Sequence, residues 1–245
     1  MTMTDELAAV HAARRRSPVA RSTRTMTRFL VHQAWWYLGI VLVLALGTYA
    51  VMLAIDEPTV SVVQFGRQSA TWYPFAIAVL LASAHLPAHV AVGMTRASFV
   101  RGALLAALVM GAFYTAVFTG AMALEGVVYD AAGWQHRITD TSWFTRDPGD
   151  LGTVAAGMFA GIVVAHCSGY LVGVVYQRVG GWWGTLLLPL TAGPVLGVMA
   201  LLSGWIDDDR LGPPLRWALV ALVAVALAAA FAAVARRFAL RATGG

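Results

Sequence analysis

The chain has 245 residues, 59% of them hydrophobic and only 12% charged, with a mean hydropathy of +0.71. A soluble domain carries about 25% charged residues, so this composition excludes a water-facing surface and implies an integral membrane protein. All 17 basic residues are arginine and the net charge is +5; without lysine there is no P-loop, Schiff-base or kinase lysine chemistry.

Residues 1–28 read as a basic cytoplasmic tail, with Arg14, Arg15 and Arg16 followed by Arg21, Arg24 and Arg28. Such a tail is solvated or touches lipid headgroups. The expected partner is the lipid bilayer, with no nucleic acid. No cleavable signal sequence is expected, because the first apolar segment is too long and lacks a small-residue cleavage site. Residues 25–37 turn amphipathic through Met26, Phe29 and Leu30, which predicts a helix lying in the interface. Trp35, Trp36 and Tyr37 would mark the headgroup level.

Six apolar runs follow, at about 35–55, 72–93, 101–124, 152–176, 182–204 and 215–235. Each is long enough to cross about 30 Å of hydrocarbon. The predicted fold is all-α and polytopic: an N-terminal interfacial helix and six spans within a transmembrane domain over 29–240. Of the 17 arginines, 12 fall on one side and 5 on the other; all acids except Asp5 and Glu6 oppose the Arg-rich side. The positive-inside rule then puts both termini in the cytoplasm.

On the outer side, residues 125–151 form the longest connection, whose aromatics predict a small cap at the bilayer edge. Asp207, Asp208 and Asp209 form a second outer turn, which reads as solvated before it reads as a cation site. Pro74, Pro87, Pro189 and Pro194 fall inside spans and should bend them. Gly157 with Gly161, and Gly169 with Gly173, make small-xxx-small pairs for close helix packing.

The ionisable residues at depth are His85, His89 and His166. The first two share a helix face, and His85 and His166 each lie about ten residues from the cytoplasmic end of their spans. Histidines paired at one depth can hold a haem or a metal. Here Pro87 intervenes and no acid or thiolate completes a set, so no cofactor or metal is expected. The alternatives are buried neutral histidines or contacts to a polar substrate along a pathway. No paired carboxylates or nucleophile–base motif lies in a span, so an intramembrane enzyme is not expected.

The turn after the second span is Gly93-Met94-Thr95-Arg96-Ala97-Ser98-Phe99-Val100-Arg101-Gly102. It is doubly basic, and its phenylalanine reads as exposed. With the basic N-terminal segment and the six spans, this Gly-x-Thr-Arg-x-x-Phe turn resembles the membrane subunit of ABC-2-type ATP-binding-cassette exporters. The resemblance implies a permease of the cell (plasma) membrane that works as a homodimer or heterodimer. It also implies separate ATPase subunits that bind the ATP. By the same resemblance Thr95, Arg96, Phe99 and Arg101 face the ATPase, and Glu125 matches an acid at the outer end of the third span. The short connection between the fifth and sixth spans departs from the family. The alternatives are a non-transport membrane module (an assembly, sensor or immunity-type protein) and a haem- or metal-binding redox protein.

Overall fold

A computed structural model describes residues 17–139, 144–145, 147–203 and 212–237. The Arg14–Arg16 run and the three aspartates 207–209 lie outside the described residues. The described chain is helical, with five helices long and apolar enough to cross a membrane, as in an all-α multi-pass membrane protein.

Helix α1 runs Pro18–Ile55, 38 residues and about 57 Å long. Ser17 caps it, accepting the Ala20 N–H at 3.2 Å, and Pro18 sets the first turn. It is one continuous helix, so the separate interfacial helix expected over 25–37 is not formed. Its buried stripe is Ser22, Met26, Leu30, Ala34 and Tyr37. That stripe docks the first half on the bundle, while apolar residues from Ile40 to Ile55 stay exposed. Tyr37 turns inward instead of marking a headgroup level: its ring stacks on Tyr73 at 4.4 Å and its hydroxyl meets Ser69 at 2.9 Å.

A short 3-10 turn, Val63–Phe65, leads into α2, Gly66–Ala91. Helix α2 continues through both Pro74 and Pro87. Pro87 has no N–H for the carbonyl of Ser83; the Gln177 side-chain amide donates to that oxygen instead. Helix α3, Arg96–Ala132, is a single 37-residue helix. Residues 125–132, expected in the outer loop, are its last two turns, and Gly133 closes it in the left-handed region at φ 72°.

Among the described helices that could cross a membrane, α4, Leu151–Val179, is the most enclosed, buried along most of its length. Asp150 caps it by accepting the Thr153 N–H at 3.1 Å, and the Thr153 hydrogen bonds hold this carboxyl below its ordinary value. Helices α2 and α4 run parallel in tight register. Gly169 lies on the Phe75 carbonyl, Gly173 on the Val79 carbonyl, and Gln177 on that of Ser83. This is the close packing expected from the second small-xxx-small pair. Gly161 has nothing nearer than a Met199 methyl at 3.9 Å from a built Cβ, so it makes no such contact.

The run expected as one span over 182–204 is broken into α5 (Gly181–Leu186), α6 (Leu188–Thr191) and α7 (Gly193–Leu202). Pro189 and Pro194 remove helical N–H donors, and their rings crowd the carbonyls four residues back. The run still retraces α4 in reverse: Thr185 Oγ1 meets Tyr176 Oη at 2.9 Å, Ser168 Oγ donates to the Thr191 carbonyl, and Met199 reaches Gly161. Ser168 thus satisfies a carbonyl at the break, as hydrocarbon surroundings demand. Helix α8, Pro213–Arg236, closes the bundle through Phe231, which packs on Tyr170 and Phe99.

Candidate functional site

The most elaborate polar site is built on Glu125, which is 4% exposed near the end of α3. Five donors converge on its carboxylate. Oε1 accepts from the Tyr49 hydroxyl of α1, from the Val62 N–H at 2.6 Å and from the Val63 N–H at 3.3 Å. Oε2 accepts from the Ser61 hydroxyl and meets His136 Nε2 at 3.0 Å. A buried carboxylate is tolerable only with partners of this kind.

The bonds around Glu125 extend the clamp. Ser61 N–H donates to the Arg137 carbonyl at 2.9 Å, and the Tyr129 hydroxyl to the Val60 carbonyl at 2.7 Å. Gln64 Nε2 donates to the Ser61 carbonyl at 2.8 Å, while its Oε1 accepts the Thr139 N–H at 2.9 Å. Trp134 packs edge-on against Tyr129. One acid therefore ties together α1, α3, the 60–65 segment and the 134–139 segment.

Beneath the clamp, between α1 and α3, lies a half-open apolar groove of about 490 Å³. Trp35, Phe65, Phe113 and Phe118 supply its aromatic walls, with Val62 and Val63 above. Pockets of about 300–1,000 Å³ take small-molecule ligands.

Arg67 was expected in a loop but is 1% exposed, its Nη1 3.9 Å from Met199 Sδ and its guanidinium 5.4 Å from the Phe144 ring centroid. Nothing in its local sequence separates it from a loop arginine.

The three histidines do not come together. The α2–α4 contacts pair residues whose numbers differ by 94, which sets His85 beside Val179 and His166 beside Trp72. The two imidazoles are therefore about 20 Å apart in depth, which corrects the expectation of equal depth. His166 is fully buried and its Nδ1–H donates to the Ile162 carbonyl of its own helix at 2.9 Å. His85 packs on Phe29, ring centroids 5.0 Å apart, and His89 Nε2 meets Ser98 Oγ at 3.1 Å. Among the described residues no group of three His, Cys, Asp or Glu side chains is placed to hold a metal.

At the turn, Gly93 adopts φ 81° and Thr95 caps α3, its Oγ1 accepting the Ser98 N–H at 3.1 Å. Thr95 and Arg101 are exposed and Arg96 is half-buried. Phe99 is 0% exposed, set edge-on between His89 at 5.4 Å and Phe231 at 6.5 Å. It is a core residue, not an exposed anchor. Phe99→Ala is expected to destabilise the purified protein by about 3 kcal/mol through the cavity it leaves, read as a lowered Tm in detergent. A Tm equal to the parent's would contradict this packing.

Comparison with protein-family models, with curated proteins and with solved structures gives no match.

Proposed function

We propose that this chain is the transmembrane subunit of an ABC-2-type exporter, driven by separate ATPase subunits that meet it at the α2–α3 turn. The observation that carries the reading is α3 itself. One 37-residue helix with no proline starts at that turn and carries Glu125 about 44 Å further along it. Force applied at the Arg-rich end reaches the clamp through a continuous rod. Opening the clamp would then release a substrate from the groove below it.

The distribution of charge supports the orientation. Arg21, Arg24, Arg28, Arg96, Arg101, Arg178, Arg236 and Arg237 cluster at one end of the helices. Both termini are then cytoplasmic. That the broken α5–α7 run retraces α4 supports reading it as a sixth crossing. The aromatic groove walls suit the lipophilic part of a substrate, and the exposed apolar half of α1 leaves a face for lipid or a second permease.

With Phe99 in the core, docking falls to the exposed Arg101 and Thr95 and to the half-buried Arg96. Arginine is enriched among residues that dominate interface energy. In Arg101→Glu, ATP hydrolysis co-purifying with the tagged chain from its own membranes should fall about tenfold, as loss of one hot-spot residue predicts. The variant should still insert at parental levels. No ATPase with either protein, or the same activity with both, would leave the non-transport membrane module standing.

A further inference from the structure

Between α1 and the 3-10 turn the chain is not helical, so its backbone donors need partners from elsewhere. They find them around one carboxylate. The N–H groups of Val62 and Val63 donate to Glu125 Oε1, and that of Ser61 to the Arg137 carbonyl. The Gln64 N–H donates to Ser61 Oγ at 3.2 Å, and this hydroxyl in turn donates to Glu125 Oε2. The Thr139 N–H donates to Gln64 Oε1 at 2.9 Å. Five amides from two connecting segments thus hang on one network centred on Glu125.

That network is lopsided. Glu125 accepts from five donors and gives nothing back, a role that suits only the ionised acid, since a protonated carboxyl carries a donor of its own. On Oε2 it faces His136 Nε2, whose side chain is 11% exposed against 2% for that of Glu125. Tyr49 from α1 and Tyr129 from α3 face the same site, and both are phenols, uncharged from neutral pH downwards. Arg67 at the head of α2 lies against Met199 and the Phe144 ring. Asp56, Glu57, Asp130 and Arg137 are exposed around the site.

We propose that Glu125 is a proton-operated latch: at neutral pH its carboxylate pins the 61–64 segment to the 136–139 segment, and in acid its protonation frees both. The donor count fixes the sign. Ionised, the acid is the acceptor that all five donors use; neutral, it loses its charge-assisted bonds and adds a donor among donors. The stabilisation is therefore complete at neutral pH and is lost as the pH falls. His136 sets where the loss comes. Its positive charge in mild acid favours the ionised carboxylate, so release needs a more acidic solution than it would beside a neutral partner. This inference does not depend on the transport reading.

Deuterium uptake by the full chain in detergent tests it, followed in steps from about pH 7 to about pH 4 and corrected for the pH dependence of free amides. In the parent, peptides covering 61–64 and 136–139 should exchange about tenfold or more faster at the acid end, the scale of one lost charge-assisted hydrogen bond. Peptides from the middle of α4 should keep their protection. Glu125→Gln has no proton to gain, so its two segments should exchange fast at every pH. Asp130→Asn removes an exposed acid nearby and should follow the parent. His136→Gln keeps a donor without the charge, and its release should come at a higher pH than the parent's; this variant serves where Glu125→Gln does not fold. An acid response in Glu125→Gln equal to the parent's would overturn the latch. So would a His136→Gln midpoint at or below the parent's, a parent without any acid response, or release only together with loss of protection in α4.

Discussion

Glu125→Ala is expected to cost about 3 kcal/mol or more, the scale for removing one partner of a buried ion pair. The reason is the number of groups it strands. The N–H groups of Val62 and Val63 lose their acceptor, and so do the hydroxyls of Tyr49 and Ser61 and the imidazole of His136. Each buried donor left unpaired costs about 1–3 kcal/mol unless water reaches it. Glu125→Gln should recover part of the loss, because one oxygen still accepts while the new amide confronts Ser61 and His136 as a further donor. Asp130→Ala, an exposed acid on the same last turns of α3, should change stability by about 0.5 kcal/mol or less. Thermal unfolding in detergent ranks the three. Proteolysis adds a local test: the 56–65 and 134–139 segments should be cut faster in Glu125→Ala than in Asp130→Ala. Equal Tm values for Glu125→Ala and Asp130→Ala would mean that the acid does not hold the clamp.

Five long helices were legible in the sequence because apolar runs of about 20 residues have few other uses. Their ends were not. Ser17-Pro18 is a helix start that the arginines around it disguise as a tail. In α3 the buried positions Phe99, Ala103, Ala106, Met110, Tyr114, Phe118, Met122, Glu125 and Tyr129 recur every three or four residues. That period runs through the glycine-bracketed turn and on into the supposed loop. Followed strictly, it would have placed Phe99 and Glu125 inside. The polar residues at each end drew attention to chemistry and away from period. The depth of His166 relative to His85 is different in kind. It depends on register between α2 and α4, and carbonyl–glycine contacts set that register without leaving a trace in either helix alone. The same holds for Gln177, whose partner is a carbonyl that a proline on another helix has left without a donor.

Gly173→Ala and Gly169→Ala are expected to destabilise the bundle by about 1–3 kcal/mol each, the usual cost of overpacking. A Cβ on Gly173 would stand 2.6 Å from the Val79 carbonyl oxygen and 2.9 Å from Ala82 Cβ. On Gly169 it would overlap the Phe75 carbonyl and come within 2.8 Å of Ala78 Cβ. The obstacles are backbone and Cβ atoms of a neighbouring helix, so no side chain can rotate out of the way. Helix α2 would have to move, and moving it loosens the Gln177 bond to Ser83 in the same stripe. Small residues at such crossings let backbones approach where no hydrophobic force drives helices together. Gly161 is the internal control. It belongs to the same helix and to the other small-xxx-small pair, yet a Cβ there meets only a Met199 methyl at 3.9 Å. Gly161→Ala should be neutral or stabilising by about 0.5–1 kcal/mol, since alanine is the better helix former. Sequence alone ranks the three glycines as equals; the α2–α4 register separates them. Tm values of the three alanine variants in one detergent decide the matter. If Gly161→Ala lowers Tm as much as Gly173→Ala does, the parallel α2–α4 register described here is wrong, and with it the depth assigned to His166.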